Sequence, residues 1–315
     1  MNISSLLPTS GVVSCRNYSE PSTNRAICNV SRCHFPMFGC TSEKIAKLTC
    51  QSSHIDSKRS SWVLSSHSNL PFGNRILEAS SIEEIYDTLT DHLLQTLENN
   101  WDDSNGKYII GLSGPPGSGK STLAMEVIRK LNMVMSEKDS RKDFSDNIDD
   151  FAIVVPMDGF HLYRSQLDAM EDSTEAYARR GAPWTFDPAL LLKRLQILKN
   201  EGTASFPSFD HGVGDPVEDD IFVSQRHKVV IIEGNYLLLE DDIWNDISSI
   251  FNEKWFIEID IHKSMQRVLK RHISTGKPPD TAKWRIDYND RPNAELIMKS
   301  KVNADLVIQS VDRPV

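Results

Sequence analysis

Beyond its first seventy-odd residues, the chain carries a succession of short apolar patterns separated by polar punctuation. From Ser80 onwards, Ile82, Ile85, Leu89, Leu93 and Leu97 recur at helical spacing, and Ser80 with Glu83 forms a capping box, so an amphipathic helix is expected there. No chemistry attaches to it. After a polar, turn-forming run, Tyr108 to Leu112 reads as a short buried strand, and Leu123, Val127, Ile128 and Leu131 begin a second helix. The charged stretch between Met135 and Asp150 reads as a solvated loop, followed by a buried strand from Phe151 to Pro156. Asp187 and Pro188 open a further helix, Leu190, Leu191, Leu195 and Leu198 give its buried face, and Gly202 closes it. Phe206 to Pro216 reads as a Pro- and Gly-punctuated loop. Strands are expected at Val229 to Ile232, Trp255 to Ile259 and Ala304 to Ile308, with a helix after Asp260. A mobile-looking segment follows through Gly276, Lys277, Pro278 and Pro279, and Asn289 to Asn293 reads as a turn.

Composition changes this picture mainly at the N-terminus. The chain has 315 residues, 35 basic against 44 acidic, for a net charge of -9. A general nucleic-acid binder needs a basic surface, so that class is excluded. No run of about 18 apolar residues offers a membrane span. Met1 to Leu70 departs from the average with seven basic and three acidic residues, leaving 28 and 41 in the remainder. It is Ser-rich and holds all five cysteines, Cys15, Cys28, Cys33, Cys40 and Cys50, which lack a CxxC pair and so make a poor metal or disulfide pattern. Residues 1–75 resemble an organelle transit peptide, chloroplast rather than mitochondrial, or else a disordered tail that stays attached to a cytoplasmic protein. The folded domain is assigned to 76–315.

The strongest chemical signal is Gly114, Pro115, Pro116, Gly117, Ser118, Gly119, Lys120, Ser121 and Thr122, which satisfies GxxxxGK[ST] directly after a strand and directly before a helix. Its glycines let backbone amides curl round phosphate oxygens, Lys120 can reach the β- and γ-phosphates of ATP, and Ser121 can ligate Mg²⁺. A P-loop identifies a nucleotide and leaves the reaction open. Asp158, at the end of the Phe151 strand, stands where a carboxylate can orient a substrate hydroxyl and accept its proton, or where it can simply cap a turn beside Gly159. His161 is as readily a packed histidine as a substrate contact. Glu233 ends a β-branched strand in Walker-B fashion, placed to hold the metal's water shell near Ser121; otherwise it is a rim glutamate.

The P-loop, the segment Met157-Asp158-Gly159-Phe160-His161-Leu162 and the segment from Arg179 to Asp187 resemble the phosphoribulokinase, uridine kinase and pantothenate kinase family from about Lys107 onwards. The resemblance implies an α/β P-loop kinase fold: a mostly parallel sheet flanked by helices, with a helical lid. It implies ATP and Mg²⁺, with Asp158 as base and Arg267 and Arg271 as lid arginines closing on the phosphates; spacing alone would make those two a solvated basic face. It also implies acceptor contacts from His161, Tyr163, Arg179, Arg180, Phe209, Asp210 and His211. Gly181 replaces an acidic residue, and Phe209 a tyrosine, that uridine kinases use towards their nucleoside, whereas Arg179 and Arg180 suit an acceptor carboxylate or phosphate. The cysteine-free remainder offers no thiol control of the phosphoribulokinase kind. The expected activity is transfer of the ATP γ-phosphate to a hydroxyl of a small nucleoside-, pantothenate- or sugar-like metabolite. The expected partner is that small molecule, with no nucleic acid or membrane, and a homo-oligomer is left open. The rival readings are a regulatory ATP-binding protein or NTPase without an acceptor, and a nucleotide switch, for which no NKxD motif exists.

Overall fold

The computed structural model describes residues 75–100, 106–138 and 150–311. The transit-peptide assignment, the cysteines and most of the charged stretch before Asp150 lie outside the described residues. A parallel sheet of six strands forms the centre: β1 (Arg75–Leu77), β2 (Tyr108–Ser113), β3 (Ala152–Pro156), β6 (Val229–Gly234), β7 (Glu253–Glu258) and β8 (Leu306–Gln309), in the order β1-β8-β7-β2-β6-β3. β4 (Ala204–Asp210) and β5 (Asp215–Val223) form a separate antiparallel pair.

Strands that are apolar along their whole length follow from burial on both faces. Ile109, Val230, Ile232, Phe256 and Val307 enter one core. Their neighbours Ile110, Leu112, Val229, Ile231, Trp255, Ile257, Leu306 and Ile308 enter the other, as the two-residue period of a strand requires. The first core is covered by α5 (Pro188–Glu201), α6 (Asp242–Ser248) and α9 (Arg291–Lys299); the second by α1 (Ile82–Asn100) and α2 (Lys120–Lys138). Asp187 caps α5 by accepting from Leu190 N at 2.9 Å, and Gly202 ends it. Two short helices, α3 (Arg164–Asp168) and α4 (Ser173–Ala178), lead from β3 towards α5. The lid side is built from α7 (Ile261–Ser274), α8 (Pro279–Arg285), a π-helical turn Ile286–Asp290 and α9. No helix among the described residues is long and apolar enough to cross a membrane.

Several local expectations are corrected. The α1 cap sits one residue on: Ser81 Oγ accepts from Glu84 N at 3.2 Å, and the Glu84 carboxylate turns back to Ser80 N at 2.8 Å. Met135 to Lys138 continue α2 instead of belonging to a loop. The segment from Phe206 to Pro216 is a hairpin, with Pro207 tolerated at a register shift between Phe206 and Ser208. Residues 289–293 are helical, because α8, the π-helical turn and α9 run on in helical backbone, and the wider π turn lies just ahead of Pro292, which has no N–H for an ordinary α-helical bond. Of the segment through Pro279, residues 275–278 link α7 to α8 and Pro279 opens α8.

One contact fixes the hairpin against the sheet. A Cβ added to Gly159 would lie 1.9 Å from the carbonyl oxygen of Pro207. Gly159→Ala should therefore force the turn after β3 and the hairpin apart at a cost of about 1–3 kcal/mol. Thermal melts should show the loss, and unchanged stability would mean that the two segments do not pack this closely.

Candidate active site

β2 and α2 are joined by six residues whose backbone encircles a space at the carboxyl end of the central strand. Gly119 has φ 101°, a backbone conformation that favours glycine, and a Cβ added there would meet nothing within 4 Å, so open room lies beside this turn of the loop. Ser118 Oγ is buried and makes no hydrogen bond with the protein, which suits a phosphate oxygen as its partner. Lys120 Nζ donates to Gly114 O at 2.7 Å and Pro115 O at 3.1 Å. Burial pushes this ammonium down to about 8, against the opposing pull of Glu233 and Asp158, and the charge of Arg271 pushes the same way as burial. A polyanion entering here would restore the charged form. Ser264 Oγ donates to Pro116 O at 2.5 Å and Arg267 Nη1 to Gly117 O at 3.2 Å, so α7 grips the P-loop directly.

The carboxylates arrive from the strands on one side of β2. β3 and β6 pair in register, Pro156 beside Glu233, so the turn Met157–Phe160 emerges next to the end of β6. Glu233 is buried and accepts from Ser121 Oγ at 2.8 Å. Burial raises its pKa, Lys120 opposes that rise, and Asp158 adds to it. The carboxylate of Asp158 thus acts on Lys120 and Glu233 alike. No side chain caps this turn; it is the Asp158 carbonyl, not the carboxylate, that accepts from His161 N at 3.1 Å and His161 Nδ1 at 2.8 Å. Ser121 and Glu233 offer the hard oxygen donors that Mg²⁺ takes when it also holds waters and phosphates.

The expected acceptor residues are held in different ways. His161 lies between Phe186, ring centroids 4.0 Å apart, and Phe209, 4.8 Å apart, and His211 stands against Phe209 at 5.2 Å. Arg180 packs 5.5 Å over the Phe209 ring, donates to Leu162 O at 3.0 Å and lies 3.6 Å from Asp215. Arg180 therefore ties the hairpin to the segment after Asp158. Arg179 instead faces the lid, 5.7 Å over Tyr288. Tyr163 lines one cavity with His161, whereas the carboxylate of Asp210 is used within the hairpin turn. The Tyr163 hydroxyl donates to Glu218 at 3.0 Å, and Asp210 Oδ1 closes the hairpin turn by accepting from Gly212 N and Val213 N at 2.7 and 3.1 Å. Ser264 and Tyr288 were not singled out from sequence, since neither belongs to a motif and their value lies in what the fold brings to them.

With a P-loop, a strand-end carboxylate and a lid in one crevice, comparison with known proteins is decisive. The phosphoribulokinase/uridine kinase family model matches residues 109–314. The chain belongs to this family. Relatives include the Schizosaccharomyces pombe protein C227.14, provisionally named a uridine kinase, which is 34% identical over 72% of this chain and 91% of its own length. The ATP-dependent kinase YFH7 of Kluyveromyces lactis is 28% identical over 72% of this chain and 98% of its own. Among solved structures, a Silicibacter sp. TM1040 protein provisionally described as a fructose transport system kinase superposes with a TM-score of 0.58 and 30% identity, over 70% of this chain and 98% of that one. The phosphoribulokinase/uridine kinase family is one of P-loop kinases, and membership implies ATP and Mg²⁺.

His161 carries a measurable consequence. A carbonyl can only accept, so Nδ1 holds the proton and Nε2 is left as an acceptor. Burial lowers the histidine's pKa from its ordinary 6.5, with Asp158 opposing. The unfolded chain then binds the proton more readily than the folded one, so stability is full above about 6.5 and falls as pH drops through and below that value. Melting temperature should decline between about pH 7 and 5 more steeply in the wild type than in His161→Gln. Parallel declines would show that His161 is not buried in its neutral form.

Proposed function

We propose that the protein transfers the γ-phosphoryl group of ATP to a hydroxyl of a small metabolite. The observation that carries this reading is one end of the sheet, where Glu233, bonded to Ser121 Oγ at 2.8 Å, and the turn of Asp158, which leaves β3 beside it, stand next to the buried P-loop ammonium of Lys120. Phosphoryl transfer asks the protein chiefly for position and charge: amides and Lys120 to hold the phosphates, and a carboxylate facing the incoming hydroxyl. In this scheme the acceptor oxygen forms a bond to the γ-phosphorus, the bond to the β–γ bridging oxygen breaks, ADP leaves, and Asp158 takes the hydroxyl proton. Bound Mg²⁺ supplies charge to the phosphate oxygens. Ser121 and Glu233 are the residues assigned to hold it, directly and through its waters. Arg271 and Arg267 offset charge that develops on the transferring group, Arg267 from its anchor on Gly117.

On the acceptor side, His161 Nε2 offers a hydrogen-bond acceptor to a second substrate group, and the half-buried Phe209 offers an apolar face, while Phe186 backs His161 from the core. This suits a hydroxylated molecule with an apolar face, of the nucleoside, pantothenate or sugar type. Because Arg180 is engaged with Leu162 and Asp215, Arg179 is the better placed of the two to meet an acceptor anion. Asp158→Asn should lower phosphoryl transfer by about 10²–10⁴-fold while leaving the Kd for ATP within about twofold. Assays should couple ADP release with titration of an ATP analogue across nucleosides, pantothenate and sugars. Transfer at the wild-type rate, or ATP affinity lost together with activity, would remove Asp158 from the role of base.

A further inference from the structure

The chemistry just assigned lies on one side of β2, and the molecule holds a second feature on the other. Asp158 and Glu233 come from β3 and β6; the opposite neighbours of β2 are β7 and β8. A triphosphate whose terminal group faces the carboxylates must leave the P-loop with its nucleoside end towards β7 and β8. A cavity of about 280 Å³ lies there. Its floor is Ser118, Gly119 and Thr122, so it continues the phosphate cradle. Arg267 forms another wall, its Nη1 shared between Gly117 O and Ser310 Oγ. The volume is at the small end for ligand pockets, enough for a base and too little for a whole nucleotide.

The end of β8 with Ser310 and Val311 lines a further side, and α1 closes another through Ile82, with Ile85 and Tyr86 behind it. This helix lies outside residues 109–314, the part that the family model describes. It is firmly held. Ile85, Tyr86, Leu89 and Leu93 are all buried. β1, just before it, pairs with β8, and His92 bonds the buried Glu253 of β7 at 2.9 Å.

We propose that α1 is part of the donor site: the partly exposed Ile82 is an apolar contact against which the base of the nucleotide packs, and the buried Ile85 and Tyr86 behind it fix that wall in place. The inference rests on the P-loop reading above and adds to it a helix that carries no motif. Ile82 is the residue to test, because it is only partly buried and can change without opening the core.

The experiment is titration calorimetry of the full chain with ATP and, separately, with inorganic tripolyphosphate, both with Mg²⁺. Tripolyphosphate reports the cradle without a base. Ile82→Trp, which fills the cavity, should raise the Kd for ATP by about tenfold or more and leave tripolyphosphate within about twofold. Ile82→Ala, which only removes contact, should weaken ATP by about threefold or more with the same indifference to tripolyphosphate. The proposal is overturned if neither variant separates the two ligands, whether both affinities stay put or both fall together. If the wild type binds neither ligand, the P-loop reading itself fails, which is a different result.

Discussion

A single cation held out of water organises this protein. The ammonium of Lys120 sits under the P-loop, and a buried charge is costly unless partners surround it. Two main-chain carbonyls accept from it, and the carboxylates of Glu233 and Asp158 add their charge. The arrangement is balanced only in part, as the lowered proton affinity of Lys120 and the raised one of Glu233 both indicate. A polyphosphate with its metal would complete the balance. Affinity for the anion therefore arises from the same burial that strains the site, a recurring way for a folded protein to hold a functional group ready.

The parallel sheet makes this possible. All six strands end in one direction, so residues from β2, β3 and β6 that are far apart in sequence reach the same crevice. Around that crevice the molecule is divided. β6 and β3, with the hairpin and the aromatic cluster of His161, Phe186 and Phe209, occupy one side. β7, β8 and α1 occupy the other, and α7 crosses over the P-loop between them through Ser264 and Arg267. The hairpin is no loose flap: it is seated on Gly159 by a backbone approach that only a glycine permits, and Arg180 reinforces it. The π-helical turn at Ile286–Asp290, a form found often at functional sites, brings Tyr288 against Arg179 and Asp290 within 2.8 Å of His272 on α7. Acceptor segment, lid and donor loop are thus linked through side chains.

What the sequence determined by itself was whatever depends on near neighbours. The helix of Leu123 and Leu131, the capped helix after Asp187 and the strand of Val229 to Ile232 are local in origin: a side-chain period, a cap oxygen three residues from its amide, a run of β-branched residues. The P-loop is local too, because its backbone curl, lysine and hydroxyl are fixed within nine residues. Even there, resolution stopped at a residue or so, since Ser80 and Ser81 with Glu83 and Glu84 spell two overlapping caps and only the helix register chooses between them. Tertiary structure decided the rest. Three-residue β1 carries too little pattern to be read, and it exists because β8 offers it an edge. Residues 206–216 read as a loop because Pro207 and two glycines break the strand signal, yet β5 pairs across them. Above all, α1 looked like plain packing, and its place beside the P-loop comes from contacts with α2, 40 to 43 residues on, and with β7, 161 residues on, and from the pairing of β1, just before it, with the distant β8. A periodic pattern tells which face of a helix is buried; it carries no record of what that face is buried against.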